Sequence, residues 1–481
     1  MQTPRLPHIQ RIHFIGIGGA GMGGIAEVLL GQGYHVSGSD LQNNAMVQHL
    51  RQLGAQVFIG HHTDNISNAQ IIVVSTAVSA LNPEIVAAKA ARLPIIPRAQ
   101  MLADLMRNKR GIAVAGTHGK TTTTSLLACI LNEAGLDPTF VIGGMLKSAG
   151  TNAYLGKSPL FVAEADESDA SFLYLNPEIS IVTNIDADHM STYNNNFEQL
   201  CETFVQFLHR LPFNGLAVVC LDDPVIASLI PAIARPVITY GYHADADLRI
   251  TNFQARGFKS HFTLSCNKNN LSISPQTIDV VLNLPGHHNT LNTAAACAVA
   301  LSLGVSAPAI SQALAHFTGV GRRLQIHGEL PLPSGNALLV DDYGHHPREI
   351  KATWEAARQA WPDRRLVVLY QPHRYSRTRD LFADFVEALA TQPDQLLLLD
   401  TYSAGEEFIV GADSASLFTA ICATNSGKQP IFIADLENVV EVLRDTLQDG
   451  DILLTQGAGS VGVLALRLFN DGILYPEKQS A

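Results

Sequence analysis

The sequence predicts an α/β protein of three domains. Two observations carry this. Short apolar strands alternate with helical patterns along the chain, which is the mark of βαβ units. The length, 481 residues, corresponds to about three domains at roughly 100–200 residues each. With 47% apolar and 16% charged residues the composition is core-forming and excludes wholesale disorder.

The first expected domain, residues 1–107, opens with an apolar strand at 11–16 that runs into glycines. A helical pattern follows at 22–30, then a strand at 34–40 ending on Asp40, and an apolar run at 71–76 ending on Ser75 and Thr76. Continuous apolar runs suit a parallel sheet buried on both faces. A polar, basic stretch at 107–111, after a helix-like segment at 99–106, marks the boundary. The second expected domain, residues 108–321, starts with a strand at 112–116, a loop rich in glycine and threonine, and a helix at 122–134. Strands follow at 160–164, 179–184 and 216–220, then a β-rich stretch at 248–284 and a helix at 289–303. Gly319 and Gly321 read as a linker. The third, residues 322–481, carries apolar strands at 337–341, 366–370, 395–400 and 451–455, each ending in polar or glycine residues. Open α/β sheets bind ligands outside the carboxyl ends of their strands, so those residues are the first candidates for chemistry.

The charge balance, 32 − 43 = −11, argues against broad nucleic-acid or anionic-membrane binding and leaves room for a local basic pocket. No apolar stretch reaches the ~18 residues of a membrane span, and the first residues lack a signal-peptide core, so a cytoplasmic location is expected. The six cysteines form no CxxC pair and read as small core residues in a reducing compartment.

Two glycine loops stand out. Gly16-Ile-Gly18-Gly19-Ala20-Gly21 follows a strand, opens a helix, and has Asp40 at the end of the next strand. A tight turn and a helix N-terminus of this kind can hold a pyrophosphate, whether of NAD or of a UDP-sugar. Gly116-Thr117-His118-Gly119-Lys120-Thr121-Thr122 lies between a strand and a helix, where a phosphate loop belongs. There Lys120 would neutralise β/γ-phosphate charge and the Thr121 hydroxyl would ligate Mg2+. The loop is a shortened version, because Val114 stands where the longer pattern has its first glycine.

Further along, Glu164, Asp166, Glu167 and Asp169 end one strand, and oxygen ligands there suit Mg2+; a solvated acidic loop is the plain alternative. His189 follows two aspartates and reads equally as a metal ligand or a core histidine. Asn289 and Asn292 share a helix face; Asn289 is either an N-cap or, with Asn292, a reader of an adenine edge. Arg322 and Arg323 are either solvated or poised to meet a γ-phosphate. Asp341-Asp342-Tyr343-Gly-His345-His346-Pro347 and His373-Arg374-Tyr-Ser-Arg377 follow strands, the arginines suiting carboxylate or phosphate. The loop from Gly457 to Gly462 reads as a packing turn.

Taken in order, residues 16–27, 115–124, 164–169, 341–347 and 373–377 resemble the Mur ligases of bacterial peptidoglycan synthesis over essentially the whole chain. The resemblance implies a Rossmann-like N-terminal domain, a central P-loop ATPase-like domain and a Rossmann-like C-terminal domain. It implies ATP-dependent joining of L-alanine to the lactyl carboxylate of UDP-N-acetylmuramate, with addition of a recycled peptide as the alternative. By the same carry-over Gly18, Gly19, Ala20, Gly21, Asp40, Ser75, Thr76 and His118 would meet the UDP-sugar. Thr121, Glu164 and His189 would organise Mg2+, Asn289 and Asn292 would face adenine, Arg323 the γ-phosphate, and Asp342 with Tyr343 the nucleoside. His345, His373, Arg374 and Arg377 would lie near the amino acid and the sugar's carboxylate. Paralogues carry a carbamylated lysine shortly after the His189 position, yet no lysine occurs from 190 to 212 here. An NAD-dependent dehydrogenase, the rival class, leaves the phosphate loop unexplained.

Overall fold

A computed structural model describes residues 9–75, 78–266, 276–333, 335–391, 393–424 and 429–472. Thr76, expected at the substrate, lies outside them. Their chain contacts separate two compact units: 1–251 with 263–280 and 291–318, and 319–481 with 252–262 and 281–290.

The N-terminal sheet has strands β1 (Arg11–Ile15), β2 (His35–Asp40), β3 (Gln56–Ile59), β4 (Ile71–Val74) and β5 (Ile95–Pro97). They are all parallel, in the order β3-β2-β1-β4-β5. The order reverses between β1 and β4, so the glycine turn after β1 sits at a topological switch point. The helix after that turn, Ala20–Gly31, begins two residues earlier than expected.

The second sheet contains β6 (Arg110–Ala115), β7 (Thr139–Leu146), β8 (Thr151–Tyr154), β9 (Leu160–Glu164), β10 (Ile179–Val182), β11 (Leu216–Cys220), β12 (Val237–Gly241), β13 (Leu248–Arg256), β14 (Lys259–Cys266) and β15 (Gln276–Leu282). Its order is β15-β14-β13-β12-β11-β10-β6-β9-β7-β8. The middle strands are apolar and fully buried, from Ile112 to Ala115 in β6 and from Leu160 to Ala163 in β9. The helix Lys120–Glu133 packs against this sheet and is buried along nearly its whole length, from Thr122 to Leu131.

The third sheet contains β16 (Gln325–Leu332), β17 (Gly335–Asp342), β18 (Leu366–Tyr370), β19 (Gln395–Leu399), β20 (Ile431–Ile433) and β21 (Ile452–Gln456), in the order β16-β17-β21-β18-β19-β20. Its two faces are covered separately, one by a cluster around Trp354, Tyr370 and Phe385, the other by Leu339, Leu369 and Leu453 with Leu443 and Val461. Among the described strands of this third sheet, only β16 runs antiparallel to its neighbour. No helix among the described residues is long and apolar enough to cross a membrane.

Candidate active site

Three adjacent parallel strand ends build the centre of the site. β6 lies between β9 and β10, with Val114 paired to Glu164 and Ala115 to Val182. The phosphate loop, the acidic loop and the segment 184–189 therefore emerge side by side. Gly116 has no room for a side chain: a Cβ there would stand 2.1 Å from Thr183 Oγ1. Gly119 caps the helix with φ +83°, and a Cβ on it would meet Asn292 Oδ1 at 2.4 Å. Asn292 is thus brought to the loop. The loop is stitched to the β10 end, since the amide of Thr117 donates to Asn184 O at 3.0 Å and that of His118 to Asn184 Oδ1 at 2.8 Å. His118 Nε2 lies 3.3 Å from Asp186 Oδ2. Thr122, third in the helix, is buried.

Lys120 folds back over its own loop. Its ammonium donates to Gly116 O at 2.7 Å, to Thr117 O at 3.1 Å and to Glu167 Oε1 at 2.8 Å. Burial alone would lower its pKa, but Glu167, Asp166 and Glu164 raise it above the ordinary lysine value, so it stays charged. Burial pushes the Glu167 carboxyl up to about 7. Asp166, only partly desolvated, is held below the usual carboxylate range by Lys120 and Arg98. Arg98 was not singled out by its sequence context, although it follows a strand end; its guanidinium reaches Asp166 Oδ2 at 3.1 Å.

Thr121 Oγ1 donates to Glu164 Oε2 at 3.3 Å, and Glu164 Oε1 accepts from the Gly143 amide at 2.7 Å. A hydroxyl and a carboxylate on neighbouring loops are a hard-oxygen donor set, and a fully buried carboxylate oxygen, Glu167 Oε2, meets no hydrogen-bond donor among the described residues. The residues fit Mg2+. His189 sits in a left-handed turn at φ +53°, its Nε2 3.5 Å from Asp188 Oδ2.

At the N-terminal glycine turn, Gly18 and Asp40 bond each other instead of facing outward. The Gly18 amide donates to Asp40 Oδ2 at 2.8 Å, and the other Asp40 oxygen accepts from the Gln42 amide at 3.0 Å. Gly18 is buried while Gly19 and Ala20 are exposed, so the outward face of the turn is Gly19, Ala20 and Gly21 at the helix start, where amides lack intrahelical partners. Past β4, the carbonyl of Ser75 accepts from Val78 N at 3.0 Å. Beneath lies a buried carboxylate that sequence reasoning missed. Glu84 accepts from Ser39 Oγ at 2.6 Å and Asn65 Nδ2 at 2.6 Å, and lies 3.3 Å from His13 Nε2. Its signal was the helix start Asn82-Pro83-Glu84, but nothing local reveals its distant partners.

In the other unit, Arg322 and Arg323 are only partly exposed, and both are engaged. Both guanidinium groups lie over the Tyr343 ring, at 5.1 and 5.3 Å from its centroid, and Arg322 pairs with Asp341 at 3.0 Å. Asp342 is buried and accepts from Leu324 N, Gly344 N, Thr353 Oγ1 and Gln456 Nε2, bracing the turn from within. His345 and His373 come together with ring centroids 5.7 Å apart. Arg377 Nη1 donates to His373 O at 3.3 Å, whereas Arg374 turns to Glu406 at 3.7 Å. Burial, Arg377 and Arg374 push the His373 imidazole down to about 4. His346 caps the helix Pro347–Ala360 in a capping box with Glu349. Asn289 is not an N-cap. The helix starts at His287, and the Asn289 side chain instead donates to Pro285 O at 2.7 Å. The Gly457–Gly462 loop is a packing turn: a Cβ on Gly462 would stand 2.2 Å from the Arg322 guanidinium carbon.

Residues 11–110 match the Mur ligase family, catalytic domain; 114–300 the Mur ligase middle domain; and 322–459 the Mur ligase, glutamate ligase domain. The chain is similar to the UDP-N-acetylmuramate-alanine ligase of Thermotoga maritima, with 28% identity and a TM-score of 0.80 over 96% of this chain and 98% of that one. It is similar to the murein peptide ligase of Psychrobacter arcticus, with 25% identity and a TM-score of 0.71 over 95% and 98%. It also resembles the UDP-N-acetylmuramate:L-alanyl-γ-D-glutamyl-meso-diaminopimelate ligase of Neisseria meningitides, with 28% identity and a TM-score of 0.59 over 65% and 100%.

Proposed function

The chain belongs to the Mur ligase family of ATP-dependent, amide-bond-forming ligases, and from that premise we propose that it joins L-alanine to the lactyl carboxylate of UDP-N-acetylmuramate in the cytoplasm. The observation that carries the choice of substrate is the likeness to the Thermotoga alanine ligase across 96% of the chain, at the higher TM-score of 0.80. The 28% identity to the Neisseria peptide ligase favours a second reading, addition of a preformed peptide to the same sugar nucleotide.

A carboxylate is a poor electrophile and must first be activated. Its oxygen attacks the γ-phosphorus of ATP, the bond to the β-phosphate oxygen breaks, and an acyl phosphate and ADP result. The uncharged amine of alanine then attacks the acyl carbon, loses a proton, and inorganic phosphate leaves. The first step brings anions together, and like unit charges 4 Å apart repel by about 4 kcal/mol at an effective dielectric near 20. Lys120 and the first-turn amides of its helix offset that charge, with Arg323 as a further cation. Mg2+, when held by Thr121 and Glu164 with His189 nearby, supplies additional positive charge at the phosphates. A depressed imidazole is a weak base, so His373 suits orientation of the substrate better than removal of the amine proton. Gly19, Ala20 and Gly21 take the sugar diphosphate.

The test is phosphate release from ATP with UDP-N-acetylmuramate across L-alanine, glycine, L-serine and the recycled tripeptide. L-alanine giving the highest kcat/KM supports the proposal; turnover with the tripeptide alone establishes the second reading. Reduction of NAD without phosphate release would refute both.

A further inference from the structure

The Lys120 ammonium has three protons, and all three are engaged: two on carbonyls of its own loop and one on Glu167. A nucleotide phosphate must therefore displace something. The loop carbonyls are neutral, and Glu167 is the anionic partner. Its carboxylate depends on the lysine, because its side chain is 4% exposed and Oε2 meets no donor among the described residues. It is also fixed in place, since its carbonyl accepts from the Ala170 amide at 3.0 Å and from the buried Tyr193 hydroxyl. The neighbouring Asp166 differs, because it has a cation of its own in Arg98.

We propose that Glu167 is a positioning residue that holds Lys120 against the phosphate loop and competes with the nucleotide for it. When a phosphate takes the ammonium, Glu167 is left buried without its counter-charge and must either stay charged at a cost or take up a proton. Binding is thereby weakened, and departure of ADP is assisted by the carboxylate reclaiming the lysine. The inference rests on the nucleotide reading of the loop and gives Glu167 a role distinct from that of an oxygen beside Mg2+.

The consequence has an unusual sign. Glu167→Gln keeps the shape and removes the charge, so it tightens binding of adenylyl imidodiphosphate by about tenfold or more in titration calorimetry, with or without Mg2+, and slows ADP dissociation. A residue that only supports the loop, or that helps hold the metal, gives weaker binding when replaced. Glu167→Asp, whose shorter arm draws the carboxylate back from Lys120, falls between the wild type and the glutamine variant, and serves if Glu167→Gln does not fold, as judged by ligand-free melting. Equal or weaker binding in a folded variant overturns the proposal. Wild-type chain that binds the analogue but releases no phosphate with UDP-N-acetylmuramate and L-alanine refutes the proposed function and leaves this test standing; wild-type chain that binds no analogue refutes both.

Discussion

The two ends of the helix Lys120–Glu133 offer a matched test of the phosphate loop. Gly119 precedes the helix at φ +83° and Gly135 follows it at φ +74°. An alanine in a left-handed conformation costs roughly 1–2 kcal/mol at either place. The surroundings differ: a Cβ on Gly119 would stand 2.4 Å from Asn292 Oδ1, while one on Gly135 would have nothing within 4 Å. Overpacking adds about 1–3 kcal/mol at Gly119 alone. Its combined cost is therefore about 2–5 kcal/mol, which the loop relieves by leaving its phosphate-binding shape. At 1.4 kcal/mol per factor of ten, the lower bound already predicts about a 30-fold loss of ADP affinity for Gly119→Ala. Gly135→Ala should lose about 1–2 kcal/mol in urea unfolding and bind ADP normally. Calorimetry with ADP and urea melts on both variants decide the matter. ADP affinity in Gly119→Ala within twofold of wild type would mean that the loop geometry described above does not govern the nucleotide.

Three further outcomes are expected. Lys120→Ala should lower phosphate release by about 100-fold or more, as removal of a charge-stabilising donor does elsewhere; full activity would sink the proposed chemistry. Folded His373 refuses a proton, at about 4, that the unfolded chain accepts at the ordinary histidine value near 6.5. Its contribution to stability is thus complete above about pH 6.5 and declines toward pH 4, with a slope of at most about 1.4 kcal/mol per pH unit, and His373→Gln should flatten urea-derived stability across that window. Arg98→Gln should cost no more than about 1 kcal/mol in unfolding experiments, because its partner Asp166 is 40% exposed; a loss of several would show the pair to be a structural anchor.

The architecture was legible where burial writes itself into runs of apolar residues. β9, β11 and β18 fall at the expected positions because parallel strands covered on both faces leave no polar alternation to misread. The strands without a signal are of another kind. β5 is three residues ending in proline, β7 carries two glycines, and β16 contains a proline, all features that count against a strand in isolation. Helix starts moved forward at Lys120 and His287 because a preceding glycine supplied a turn that propensity does not foresee. Within the site, the loop residues were readable because their spacing is local. Arg98 with Asp166, Glu84 with Asn65 and His13, and Lys120 with Glu167 were not, because each pairing joins residues 19 to 71 positions apart.

The placement of β6 between β9 and β10 gives the sheet a role beyond support. Hydrogen-bonded neighbours in a ladder keep a fixed interval of about 4.8 Å, so the three loops they deliver are spaced by the backbone itself rather than by side-chain packing. The loops can drift in sequence and length while that interval persists. An inserted residue within Arg110–Ala115, by contrast, would turn every side chain beyond it to the opposite face and carry Lys120 out of step with Glu167 in a single stroke.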